Sequence, residues 1–368
     1  MKVLVSCSDS SQLKAFVFDE GTDTSKSTCE KLEPTNFLLE KGNPIMRFIR
    51  IAGGYIVARK TGKVAIYSSE FDLLKEIVEC PDIIELSCTE DIVFFASRSG
   101  LAYTYHLENE VLTKHKFPKN LSVAVLHPSE PVALCAGPDL IPQIHTLDGT
   151  IEFTGENLPG KYDLEEKNLV SGGLFLPSLD STFKFAVITT HGKLRIYDTA
   201  QGAEPISQTE ISKNALTSIA IDGSQIVVAD SLRQVGLYQT EPVRLLGYYK
   251  GVVGSTSHVS CRHGLVCAVG LDRYIRIFNV KSRALVAKVY TGEELVCGMI
   301  VEDDTEKRAL EDEDMWDQLQ TKKQKNKSSH PRSAKAAVQD EDSGSDIASE
   351  QQSGSDLDDE SDFGEFSD

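Results

Sequence analysis

The stretch VGLDRYIRIFNV, Val269 to Val280, decides the fold. Its apolar residues alternate as in a half-buried β-strand. An Asp–Arg pair interrupts it at positions 272 and 273, and it closes on Phe278–Asn279. The pattern is not unique. HGKLRIYDTAQG (191–202) and RQVGLYQTEP (233–242) repeat a polar turn, an alternating strand ending in an aromatic, and a second turn. Their aromatics Tyr197 and Tyr238 stand 41 residues apart, and Phe278 follows 40 later. Towards the N-terminus, GKVAIYSSE supplies Tyr67, GLAYTYHLE supplies Tyr105 and PQIHTLDG supplies His145, at steps of 38 and 40. The 52-residue step from His145 to Tyr197 leaves room for an insertion near Glu156–Lys167. QLKAFVFDEG adds Phe18, 49 residues before Tyr67, which makes seven anchors.

Short strands at a period of about 40–45 residues are the pattern of WD-type propeller blades, four antiparallel strands to a blade. The Trp–Asp dipeptide is replaced here by YD, YQ, FN, YS or YH, so the sevenfold spacing carries the argument. The expected fold is all-β: a seven-bladed WD40-type β-propeller over 1–302, followed by a disordered tail over 303–368. Only about three strands fit before Pro34 (KVLVSC, LKAFVFDE and one near Thr28–Leu32), while the run ELVCGMIVE at 294–302 is left over. That run is expected to become the innermost strand of the N-terminal blade, closing the ring and removing open sheet edges.

The formal net charge is −18. From Glu302 onward there are about 21 acidic and about 8 basic residues, so the first 301 carry only about −5 and the acidity belongs to the tail. The cysteines Cys7, Cys29, Cys80, Cys88, Cys135, Cys261, Cys267 and Cys297 form no CxxC and no zinc-like cluster. They read as reduced thiols of an intracellular protein, several of them core residues. MKVLVSCSDS lacks the pattern of a signal peptide, and no apolar run approaches the ~20 residues of a membrane span. No Walker loop, GxSxG, HExxH or kinase motif is present, and the eight histidines show no ligand spacing. The chain is therefore expected to be no enzyme and to use no cofactor, metal or small-molecule substrate.

The turns carry a different pattern. In a propeller, the turn before each innermost strand and the turn between second and third strands open on one face. The first set (EKGNPI, PKNLSV, EKNLVSG, SKNALTS, YKGVVGS) supplies Lys41, Lys119, Lys167, Lys213 and Lys250. The second (ARKTGK, SRSG, THGK, SLRQ, GLDR) supplies Arg59, Lys60, Lys63, Arg98, Lys193, Arg233 and Arg273. A face with about a dozen cations suits phosphates or an acidic partner.

In the tail, EDEDMWDQLQ (311–320) suits a short helix whose Met315, Trp316 and Leu319 would anchor a partner. KKQKNKSSHPR, with Lys322, Lys323, Lys325 and Lys327, reads as a nuclear-localisation run. Ser343, Ser353 and Ser355 each precede an acidic residue by three positions, as acidophilic kinases require.

RLLGYYKGVVGS, VGLDRYIRIFNV and AKVYTGEELVCGMI resemble the last blades of a family of nuclear WD-repeat ribosome-biogenesis factors. That family comprises the fungal Nop-seven-associated protein and its animal WD-repeat counterpart. GKLRIYDTAQGAEPI and EDEDMWDQL resemble further segments of it, and MKVLVSCSDSSQLKAFVFDEGTDTS resembles the fungal branch. The likeness is strongest over about 185–319 and the first 25 residues, and His145 departs from the aromatic anchor. The resemblance implies a nucleolar scaffold in precursors of the large (60S) ribosomal subunit, meeting assembly factors and ribosomal RNA, and an AAA-type ATPase that releases it. The alternative is a propeller adaptor without RNA contact, such as a ubiquitin-ligase substrate receptor or chromatin scaffold.

Overall fold

The computed structural model describes residues 1–27, 29, 31–89, 91–158, 169–178 and 182–301. Within them the chain forms seven four-stranded antiparallel sheets, arranged as the blades of a β-propeller. Blade 1 holds β1 (Lys2–Cys7), β2 (Leu13–Val17) and β3 (Thr35–Phe37). Blade 2 holds β4 (Ile45–Ile51), β5 (Gly54–Arg59), β6 (Lys63–Ser68) and β7 (Leu73–Glu79). Blade 3 is β8 (Ile83–Cys88), β9 (Ile92–Ser97), β10 (Leu101–His106) and β11 (Leu112–Lys116). Blade 4 is β12 (Val123–Leu126), β13 (Val132–Gly137), β14 (Leu140–Thr146) and β15 (Ile151–Thr154). Blade 5 is β16 (Val170–Leu176), β17 (Lys184–Thr189), β18 (Lys193–Asp198) and β19 (Ser207–Glu210). Blade 6 is β20 (Leu216–Asp222), β21 (Gln225–Asp230), β22 (Val235–Thr240) and β23 (Val243–Tyr248). Blade 7 is β24 (Thr256–Arg262), β25 (Leu265–Gly270), β26 (Tyr274–Asn279) and β27 (Leu285–Tyr290). The last strand, β28 (Leu295–Val301), pairs antiparallel with β1, placing Val3 opposite Ile300 and Val5 opposite Gly298.

One apolar cluster fills each gap between adjoining blades. Between blades 7 and 1, Val3, Val5 and Cys7 meet Val269, Ile275 and Ile277. On the other face of the same strand, Leu4 packs with Phe48, Val57 and Tyr67 of blade 2. A second strand is thus covered on both sides, which is why these strands read as unbroken apolar runs such as LVCAVG and IVFFAS rather than as alternating ones. The aromatic anchors all face the preceding blade. Tyr197 stacks on Phe185 with centroids 4.8 Å apart, and Phe278 lies against Tyr249.

The structure corrects two details in the first blade. Each anchor sits opposite the second residue of the neighbouring strand: Tyr67 opposite Tyr55, Tyr105 opposite Val93, Tyr197 opposite Phe185. The equivalent partner in β1 is Val3, and it faces Phe16, not Phe18. Both phenylalanines are buried because residues two apart share a strand face. The outer strand of blade 1 is Thr35–Phe37 rather than a segment near Thr28–Leu32. The chain before it runs beside blade 7 instead: the Gly21 and Thr24 N–H groups donate to the Val286 and Lys288 carbonyls, which covers the edge of β27.

His145 holds the anchor place of blade 4 and is buried, edge-on to Phe117 with its Nε2 3.0 Å from Gln143 Oε1. Burial lowers its pKa, so the ring packs as a neutral aromatic. The expected insertion falls largely on 159–168, outside the described residues, as does the whole tail from 302, with its short helix.

Candidate partner-binding face

The two families of turns meet in every blade, and a backbone bond holds them together in all but the fourth. The residue after the second strand donates its N–H to the residue preceding or opening the innermost strand: Lys60 to Pro44, Arg98 to Asp82, Ser231 to Ala215, Leu271 to Ser255, at 2.8–3.0 Å. Blade 4 has Pro138 at this place and no N–H to give. There the Asn120 side chain donates to the Pro138 carbonyl instead. Glycines at the tip of the second turn allow this approach. Gly192 has φ +75°, and a Cβ on it would fall on the Ser212 carbonyl.

Eight of the predicted cations are exposed in these turns: Lys41, Lys60, Arg98, Lys119, Lys213, Arg233, Lys250 and Arg273. None of the eight has a carboxylate partner among the described residues. The others are placed differently. Lys193 is half-buried at the start of β18. Lys63 is half-buried and paired with Glu76 at 2.5 Å. Lys167 lies outside the described residues, as do Met315, Trp316, Leu319, Lys322, Lys323, Lys325, Lys327, Ser343, Ser353 and Ser355.

Arg59 is 3% exposed and serves the fold. Its Nη1 donates to the Asn43 carbonyl at 2.8 Å, its Nη2 to that of Leu38 at 2.6 Å, and Glu40 lies 3.1 Å from its Nε. It therefore braces the turn that displays Lys41.

Carboxylates in the turns of blades 6 and 7 are used internally. Asp230 Oδ1 accepts the N–H groups of Leu232, Arg233 and Gln234, while Oδ2 accepts from Ser212 Oγ and Asn214 Nδ2. Burial opposes its charge, but these donors outweigh it and hold its pKa below the ordinary 3.8. Asp272 pairs with buried Arg276 at 2.6 Å and accepts from the Tyr274 N–H. Arg276 in turn lies over the Tyr274 ring.

Sequence reasoning passed over the centre of the ring. A cavity of about 380 Å³ is lined by innermost-strand residues, among them Arg47, Glu85 and His258. Burial pushes the Glu85 carboxyl up to about 7 against the attraction of Arg47. Burial, reinforced by Arg47, takes His258 down to about 3. Among the described residues no group of three or more His, Cys, Asp or Glu could hold a metal, and no helix is long and apolar enough to cross a membrane.

No protein-family model matches the chain. Relatives do. It is 25% identical to Ribosome biogenesis protein nsa1 of Schizosaccharomyces pombe over 74% of this chain and 82% of that one. Against Ribosome biogenesis protein NSA1 of Yarrowia lipolytica it is 25% identical over 87% and 94%. WD repeat-containing protein 74 of Homo sapiens is 30% identical over 33% of each chain. The chain is homologous to the NSA1 and WD repeat-containing protein 74 proteins. Among solved structures, the computationally designed Ika8 protein superposes with a TM-score of 0.59 at 11% identity, over 82% of this chain and 88% of that one. That likeness concerns the fold alone.

Proposed function

We propose that this protein is a non-catalytic assembly factor in the biogenesis of the large ribosomal subunit, docking on nucleolar precursor particles through the turn face of its propeller. Relatives named for ribosome biogenesis that align over most of both chains support the general role. The observation that carries the docking site is the set of eight exposed cations without carboxylate partners among the described residues. Such a surface attracts ribosomal RNA phosphates and releases their counterions on binding. Arg59 belongs to the reading as a brace and Lys193 as a half-buried member of the rim. In the same reading Lys322, Lys323, Lys325 and Lys327 direct nuclear entry, Met315, Trp316 and Leu319 anchor a partner, and Ser343, Ser353 and Ser355 accept phosphate. An AAA-type ATPase releases the factor once its particle matures.

The test is cosedimentation of tagged full-length protein with precursor particles over a salt series. Triple reversal of Lys41, Arg98 and Lys119 to Glu is expected to lower association at least about tenfold and flatten its salt dependence by about two to three log-log units. Unchanged association and slope would remove RNA from the account and leave an adaptor that meets only protein.

A further inference from the structure

The turn face is not uniform. Four large apolar residues are exposed on it among the described residues: Leu39, Leu232, Val253 and Leu271. Three of these stand on neighbouring turns of blades 6 and 7, at 56%, 64% and 52% exposure. The turn over residues 249–255 ties them together. The Tyr249 N–H donates to the Val235 carbonyl beside the Leu232 turn, and the Leu271 N–H donates to the Ser255 carbonyl. Tyr249 and Val252 are buried in the cluster between the two blades, with Tyr249 Oη donating to the Val280 carbonyl. That anchoring holds Lys250 and Val253 outward.

Each exposed apolar residue has a cation close in sequence: Arg233 after Leu232, Lys250 before Val253, Arg273 after Leu271. The only acids in these three turns are Asp230 and Asp272, and both are engaged internally. The patch therefore offers uncompensated positive charge around solvent-exposed aliphatic groups. RNA makes poor use of such a surface, because bases stack on aromatic faces. Tyr249 is buried, Tyr274 lies beneath Arg276 and Lys288, and the exposed Tyr248 and Tyr290 end the outer strands β23 and β27 outside the three turns. A peptide with carboxylates and apolar side chains matches both features.

We propose that the turn face of blades 6 and 7 binds an extended acidic protein segment, its apolar side chains resting on Leu232, Val253 and Leu271 and its carboxylates meeting Arg233, Lys250 and Arg273. The proposal rests on the reading of the turn face as the docking face, and it assigns this sector to protein.

Full-length protein would be titrated against three labelled probes, with binding read by fluorescence anisotropy: a short glutamate-rich peptide carrying three leucines, the same peptide with serines in their place, and oligouridine. The leucine peptide is expected to bind at least about tenfold tighter than its serine counterpart, a difference of about 1.4 kcal/mol. L232S/V253S/L271S should abolish that difference and leave oligouridine binding unchanged. R233A/K250A/R273A should weaken the leucine peptide at least about tenfold. Equal affinity for the two peptides overturns the proposal, as does displacement of the leucine peptide by oligouridine with no effect of the apolar triple variant. The K41E/R98E/K119E protein separates the two readings. Lost particle association with retained peptide binding supports both, lost association with absent peptide binding removes this one alone, and intact association with retained peptide binding removes the RNA docking alone.

Discussion

Asp230 shows how much one side chain organises. It ends β21, and its two oxygens collect five donors from two turns. The same register position holds Arg59 in blade 2, which bonds to the preceding turn, and Thr189 in blade 5, whose hydroxyl accepts the Lys193 N–H within its own turn. Asp230→Ala is expected to cost about 3 kcal/mol in chemical denaturation at pH 7, since several hydrogen bonds to a charged group disappear together. Asp230→Asn isolates the charge. The folded-state pKa lies below the unfolded 3.8, so the carboxylate's contribution is complete above about pH 3.8. It fades as pH falls through the folded value, so the gap between wild type and Asp230→Asn should close below that point. A gap that persists or widens in acid would mean that the donors see no charge.

At the scale of elements, the ring is tied together by hydroxyls on its innermost strands. Ser122 donates to the Val170 carbonyl of the next blade at 2.5 Å, Ser171 to Leu216 at 2.7 Å, Thr217 to Thr256 at 2.6 Å and Ser257 to Leu295 at 2.5 Å. Each hydroxyl belongs to a short sequence cue, LSV, VSG, LTS or TSH, at the opening of an innermost strand. Met46 and Ile84 occupy the corresponding places in blades 2 and 3, so the latch is confined to the later blades. Thr217→Val keeps the shape and removes the donor. It should lower stability by about 1 kcal/mol, visible as a shifted denaturation midpoint with unchanged cooperativity. Period-two alternation locates these strands, but it cannot say that a polar residue at their start reaches into the next blade.

For the whole molecule, β28 decides closure. It buries Leu295, Cys297, Ile300 and Val301, and shares clusters with blades 7 and 2. A chain ending at Glu294 would lose these side chains and leave the edge of β1 open. Such a chain is expected to unfold in a broad, low-temperature transition and to self-associate, as followed by calorimetry and light scattering. A sharp transition at the wild-type temperature would show that six blades and a three-stranded remnant suffice.

The sequence by itself determined that there are seven blades, because burying both faces of a blade forces strands and an aromatic anchor to recur at a fixed interval. VGLDRYIRIFNV carried that information, and β25 and β26 meet across its Asp–Arg turn. It also placed eight of the cations in turns, since turn positions follow from strand spacing, whereas Arg59 ends β5 and Lys63 and Lys193 open β6 and β18. Tertiary structure decided what each cation does. Arg59 and Arg233 look alike in a list of turn residues, yet one is buried against two carbonyls and the other is exposed. The choice depends on Glu40 and Asn43 reaching Arg59 from another turn, a contact between segments that periodicity does not encode. The same holds for Leu232, Val253 and Leu271, which are ordinary residues in sequence and become one surface only because blades 6 and 7 stand side by side.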